Sequence, residues 1–355
     1  MKIYMRLHKR NIIRALSVFA AVLILQGCFK EIVQVREPLP DIIWPKPPDV
    51  PRILFVNAVS RAKDYNIKKT GFDKFIRFLK GEQSKSIMNP YGVITDDRNR
   101  LFIVDTSCRC VHVFDVENNS HYTFPDGDTS FMTPIDIALD REGRIFVSDS
   151  EYGVVKVFRN GGKDYIQEIG KGLLERPTGL AVNNITGELL VVDTVGSQIL
   201  KYKLEDLKFK GDIGKVGTVE GMFHYPTNIF LSKEGRIFIS DTLNFRIQIF
   251  TPEGKFIHAF GEAGDGPGYF SRPRGVAVDS DGNIYVVDAL FDNVQMFNSE
   301  GRLLMAFGGT GSAYGEFWLP TGIYIDGKDR IYVSDSYNKR VQIFQYLKEG
   351  SMIMP

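Results

Sequence analysis

Six times along the chain a proline is followed by an aspartate fifteen or sixteen residues later, with an aromatic residue nine positions beyond it. The prolines are Pro90, Pro134, Pro177, Pro226, Pro273 and Pro320. The aspartates are Asp105, Asp149, Asp193, Asp241, Asp288 and Asp335, and the aromatics Phe114, Phe158, Tyr202, Phe250, Phe297 and Phe344. Successive prolines lie 44, 43, 49, 47 and 47 residues apart. A unit this short cannot bury its apolar face alone and must stack on its own copies. A period in the forties, built from short β-like runs, is that of a propeller blade. The 34 Gly, 26 Phe and 15 Tyr suit such a chain of short strands and tight turns.

The fifth repeat shows the strands. Gly275–Val278 reads as the innermost strand, and Asp281-Gly282 as a hairpin turn. Ile284–Val287 is the second strand and ends at Asp288. Val294–Phe297 is the third, and Leu303–Phe307 the outer one. Second strands are apolar throughout, as in Ile237-Phe238-Ile239, which suits a strand covered on both faces. The sixth repeat stops after three strands, near Phe344. Upstream of the first repeat, Arg52–Val56 reads as an outer strand without a blade. The expectation is that it completes blade six, closing the ring and covering a sheet edge. Residues 72–79 carry helical spacing and read as a short surface helix.

The repeats resemble NHL repeats, which build six-bladed propellers. The fullest matches are Asp335-Ser-Tyr-Asn338-Lys-Arg340-Val-Gln342-Ile-Phe344 and Asp241-Thr-Leu-Asn244-Phe-Arg246-Ile-Gln248-Ile-Phe250. The linker between blades fits as well, in Phe260-Gly261, Gly264, Gly268, Phe270 and Pro273 and again in Phe307-Gly308, Gly311, Gly315, Phe317 and Pro320. The resemblance implies an all-β six-bladed propeller over residues 52–345 and says little of function. At the Asn and Arg positions blade one carries Cys108 and Cys110, blade two Tyr152 and Val154, blade three Gly196 and Gln198, and blade five Phe291 and Asn293.

Ahead of the repeats, a basic stretch ending at Arg14 is followed by eleven apolar-rich residues, Ala15–Leu25. That is too short for a membrane span and suits a signal peptide over residues 1–27. Leu25-Gln-Gly-Cys28 resembles the bacterial lipobox, which implies lipid attachment at Cys28 and location on the exported side of the cell envelope. No Asp follows Cys28, so of two membranes the outer is favoured. Residues 28–51 hold six prolines between Pro38 and Pro51. They read either as an extended tether or as a stretch packed on the domain through Ile42, Ile43 and Trp44. Residues 346–355 form a C-terminal tail. Without residues 1–27 the chain has 39 basic and 43 acidic residues, an excess of acid that argues against nucleic acid as a partner.

Several residues break the repeat or stand on one rim. Asp136 and Asn228 replace the glycine that starts other inner strands, and Tyr91 and Arg274 lie between Pro and Gly at the same rim. The turns after each Asp bring Arg109, Glu151, Tyr152, Phe245, Phe291, Tyr337 and Lys339 there, a mixture of aromatics and charges that suits contact with a protein or peptide. The six repeat aspartates read as turn residues whose carboxylates accept backbone N–H groups, not as a metal ring. Cys108 and Cys110 read in three ways: as a disulfide, as ligands of a soft metal with His112, or as two partly buried thiols. The resemblance also admits enzymes, since some NHL-like propellers are zinc-dependent lyases and gluconolactonase-like propellers use a channel acid–amide cluster around a divalent metal. His112, His121, His224 and His258 do not suggest three converging imidazoles, whereas Asp136 with Asn228 keeps a channel enzyme open as the alternative. The reading is therefore a monomeric, lipid-anchored binding or scaffolding propeller with an envelope protein or peptide as partner and no cofactor.

Overall fold

The computed structural model describes residues 39–67, 86–125 and 129–348. The export segment, Cys28 and the helix expected at 72–79 lie outside them. The described chain forms five four-stranded antiparallel sheets and one five-stranded sheet, arranged as six blades. Blade five is representative, with strands Pro273–Val278, Ile284–Asp288, Asn293–Phe297 and Leu303–Gly308. Each strand begins or ends within two residues of the position read from the sequence. The inner strands pack in turn around the ring, that of blade six, Pro320–Ile325, meeting that of blade one, Pro90–Thr95.

Burial follows from position in the blade. The second strands Leu101–Asp105, Ile145–Asp149, Ile237–Asp241 and Ile284–Asp288 are buried at every residue, whereas the outer strand Asp164–Ile169 is exposed at all but its last. Six apolar clusters fill the six junctions. Between blades two and three, Phe146, Val155 and Val157 meet Leu189, Val191 and Tyr202. Between blades six and one, Tyr332 and Val341 meet Leu101 and Phe114.

The repeat motif has a physical role at each point. All six repeat aspartates are fully buried. Each accepts N–H bonds from the loop that leads into its own blade, such as His224 to Asp241 at 2.7 Å and Trp318 to Asp335 at 2.9 Å. In blades four and six the same carboxylate also meets Arg Nε, at 2.8 Å from Arg246 and 2.7 Å from Arg340. Gln248, Gln295 and Gln342 accept the N–H of Gly221, Gly268 and Gly315, which pins each linker to the following blade. Gly308 shows why the linker needs glycine: its φ is +95° and a Cβ would stand 2.5 Å from the Phe317 ring.

Closure takes place in blade six. Its third strand, Arg340–Tyr346, pairs antiparallel with Ile53–Val59, with Phe55 opposite Phe344. Ile43–Trp44 then pairs with Ile53–Leu54 as a fifth strand. Trp44 lies 5.8 Å from the rings of both Phe307 and Phe344. Of the two readings of the Pro-rich stretch, residues 42–44 therefore follow the packed one. A fully extended tether up to residue 51 does not describe them.

Candidate functional site

One rim of the ring gathers two kinds of segment: the loop before each Pro and the turn after each Asp. Hydrogen bonds hold the two side by side, as from Tyr337 N–H to the Trp318 carbonyl (3.2 Å), Leu243 to His224 (3.0 Å) and Ala289 to Arg272 (3.1 Å). Four junctions are further tied by the hydroxyl after the repeat Asp, which donates to the Pro carbonyl of the next blade: Ser150 to Pro177, Thr194 to Pro226, Thr242 to Pro273 and Ser336 to Pro90.

The channel opens on this rim as a cavity of about 220 Å³ lined by Arg176, Arg272 and Arg274, the hydroxyls of Thr178, Thr227 and Tyr91, and Leu243. None of the three arginines forms an ion pair with a described carboxylate. Arg274 reaches across the opening to the hydroxyl of Tyr91, and its buried Nε–H has no partner among the described residues. Beneath this pair the channel shrinks to about 30 Å³, between Gly92, Asp136, Asn228, Arg274 and Gly322. A cavity of about 150 Å³, lined by Asp136 and Asn228 together with aliphatic and aromatic side chains, continues on the far side.

Asp136 and Asn228 are held at this constriction by their neighbours. Leu180 N–H donates to Asp136 Oδ2 at 2.9 Å, and Val276 N–H to Asn228 Oδ1 at 3.1 Å. Each side chain thus links its own blade to the next inner strand. Asp136 finds its space because blade one has glycine opposite, where a Cβ on Gly92 would stand 2.4 Å from Asp136 Oδ1. Removal from bulk water pushes the Asp136 carboxyl up to about 7, although N–H groups of Leu180 and Ile137 oppose the shift.

An apolar collar surrounds the mouth. Trp318 and Tyr337 are 51% and 58% exposed, with their rings 5.7 Å apart. Leu243, Leu290, Val195, Met88 and Met132 are exposed at corresponding loop and turn positions of other blades. Tyr152 is exposed with the Lys156 ammonium 4.9 Å above its ring, and Arg109, Glu151 and Lys339 are exposed on their turns. Phe245 and Phe291 depart from the reading that both are displayed. Each is half-buried, and Phe245 packs into the cluster between blades four and five. The residues these turns present are Leu243 and Leu290. The sequence reading missed Leu243, Leu290 and Trp318, whose fixed offsets from Asp and Pro were the available signal.

Cys108 and Cys110 form a disulfide. His112 lies beneath it, fully buried, with Nε2 3.4 Å from Asp105 Oδ2 and Nδ1 3.1 Å from His121 Nε2. Burial alone would raise the Asp105 carboxyl, but bonds from His112 and from the Met88 and Cys108 amides outweigh it and hold it below the ordinary range. The other two histidines stand apart from this pair: His224 lies in the loop before Pro226, and His258 on the outer strand Phe256–Phe260 of blade four. Among the described residues, Cys108, Cys110 and His112 are the only group of three or more metal-ligating side chains brought together. Among the described residues no such group forms around Asp136, Asn228 and His224.

A family profile described as a 6-bladed beta-propeller matches residues 218–294, and one for the NHL repeat matches residues 317–344. No curated protein sequence matches the chain. An auxiliary nutrient binding protein from Bacteroides ovatus shares the fold with a TM-score of 0.61 at 15% identity, over 84% of this chain and 77% of that one. One from Bacteroides thetaiotaomicron has a TM-score of 0.59 at 13% identity, over 83% of this chain and 77% of the other. Virginiamycin B lyase from Staphylococcus aureus has a TM-score of 0.54 at 14% identity, over 73% of this chain and 96% of its own. At these identities the likeness is one of fold.

Proposed function

We propose that this six-bladed NHL propeller is a lipid-anchored envelope protein that binds a protein or peptide partner across its channel-mouth face. The observation that carries the reading is the apolar collar around three arginines that have no acidic partner among the described residues, above a cavity of only about 30 Å³. Exposed Trp and Tyr beside Arg are the residue types that anchor protein contacts. The arginines favour a partner presenting an acidic group, which a guanidinium can bind through two parallel N–H bonds. The auxiliary nutrient binding proteins that share the fold fit a binding role. The Leu25–Cys28 tetrapeptide supports attachment to the membrane.

The test is a cross-linking pull-down of the tagged full-length protein from its own membranes, with mass spectrometry of the partner and of the N-terminal peptide. A stoichiometric partner and a diacylated Cys28 are expected. Trp318→Ala, Tyr337→Ala and Arg274→Ala should each weaken that partner by at least about tenfold, while the propeller keeps its circular dichroism. Unchanged recovery with all three variants would reject this face.

A further inference from the structure

Blade one breaks the repeat at three positions together. Where blades four and six surround the repeat Asp with Asn, Arg and Gln (Asn244, Arg246 and Gln248; Asn338, Arg340 and Gln342), blade one has Cys108, Cys110 and His112. The Asn, Arg and Gln sets all donate to their carboxylate at 2.7–3.0 Å. The blade-one set replaces hard N–H donors with soft sulfur and imidazole. The Sγ of Cys108 lies 3.7 Å from His112 Nε2, and the ligand atoms of all three residues fall within 4.8 Å of one another. A tetrahedral zinc ion with Zn–S of about 2.3 Å and Zn–N of about 2.0 Å places its ligands roughly 3.5 Å apart. The Cys108–His112 separation of 3.7 Å is within about 0.2 Å of that value, and the two sulfurs must part to admit the ion.

The surroundings suit a metal as well. A zinc-bound imidazole gives its other N–H to a fixed acceptor, which sets its tautomer and orientation. His112 Nδ1 has such a partner in His121 Nε2 at 3.1 Å, with the two rings 4° from parallel. Because Nε2 faces Asp105 Oδ2 at 3.4 Å, zinc binding gives up that contact and moves the His112 ring proton to Nδ1, where His121 accepts it. Cys108 is half-buried, so the site has one side toward solvent.

We propose that blade one carries a redox-gated zinc site whose ligands are Cys108 Sγ, Cys110 Sγ and His112 Nε2, with His121 as the positioning residue behind His112. In the oxidised protein the sulfur lone pairs belong to a disulfide and the site is closed. A dithiol reductant delivers two electrons and two protons to the S–S bond, giving two thiols, and leaves as its own disulfide. Zinc then binds both sulfurs as thiolates and releases their two protons to solvent. Three protein ligands leave a fourth position open to water or to a donor from a partner. This assignment is independent of the binding-face reading.

The experiment compares the full chain in two states: as purified, and after treatment with dithiothreitol that is removed without air. Zinc is counted by elemental analysis, and cobalt(II) is added as a spectroscopic probe. The reduced protein should take up about one zinc per chain and develop a thiolate-to-cobalt charge-transfer band, while the oxidised protein does neither. Cys110→Ser should abolish the band, and because Cys28 is the only other cysteine, that loss assigns it. His121→Asn should weaken zinc by about 10- to 100-fold. Where it does not fold, Cys108→Ser on the exposed turn decides by loss of the same band. A reduced protein without the band, or equal metal in both states, overturns the site.

Discussion

Asp136 and Asn228 do the same work with different chemistry, and the difference is measurable. Each accepts an amide N–H from the neighbouring inner strand, but only Asp136 can carry charge there. In an unfolded chain its carboxyl titrates near 3.9, and in the fold at about 7. Between those values the unfolded chain has released the proton that the folded one still holds, so rising pH favours unfolding. This contribution is fully present below about pH 4 and is lost as pH passes about 7. A shift of about three units sets an upper bound of about 4 kcal/mol, reduced by channel water. Asp136→Asn, which copies Asn228, should raise the denaturant midpoint at pH 8 and leave it nearly unchanged at pH 4. An equal effect at both pH values would refute the burial of that charge. Both residues were legible as breaks in a glycine position. Their task was not, because it depends on the adjoining blades: Gly92 and the Leu180 amide for Asp136, Gly179 and the Val276 amide for Asn228.

Within an element, periodicity marked strands well and turns poorly. The Pro, Asp and aromatic positions set the inner, second and third strands of every blade, because each serves the same contact six times. The turn after the Asp was harder. Its fourth residue takes positive φ in all six blades, including Arg109, Phe245, Asp292 and Lys339, and Phe245 turns inward while Leu243 faces out. Arg109 and Lys339 hold the same position with the same sign of φ and stay exposed, so the apolar ring of Phe245, not the turn handedness, accounts for its burial. The strand Ile43–Trp44 was concealed by the prolines around it. Its anchor is Trp44 on Phe307 and Phe344. Trp44→Ala should destabilise the protein by about 2–3 kcal/mol, less than the 3–5 of a fully enclosed tryptophan because Trp44 is half-buried. Urea unfolding followed by circular dichroism tests this, and a change under about 0.5 kcal/mol would mean that the strand does not dock in solution.

Across the whole molecule, all six junctions are apolar and alike, so stability depends on the ring being complete. Deleting residues 39–60 removes the partner of Arg340–Tyr346 and uncovers a long, regular sheet edge beside Phe344. Such edges recruit other chains. The truncated protein should elute as oligomers in size-exclusion chromatography and unfold over a broader range, whereas the full chain elutes as a monomer. A truncated protein that stays monomeric and unfolds as sharply would show that the ring holds without its clasp.

The clasp also sets a clock for biosynthesis. Phe55 leaves the ribosome about 290 residues before Phe344, the residue it will face. At about 5–20 residues per second, that is roughly 15–60 s during which an apolar strand has no place to go. Five blades can assemble in the order they are made, but the sixth waits for the last strand of the chain. For this interval Ile53 and Phe55 lack the strand that will cover them, and a product that stops before residue 340 lacks that strand altogether.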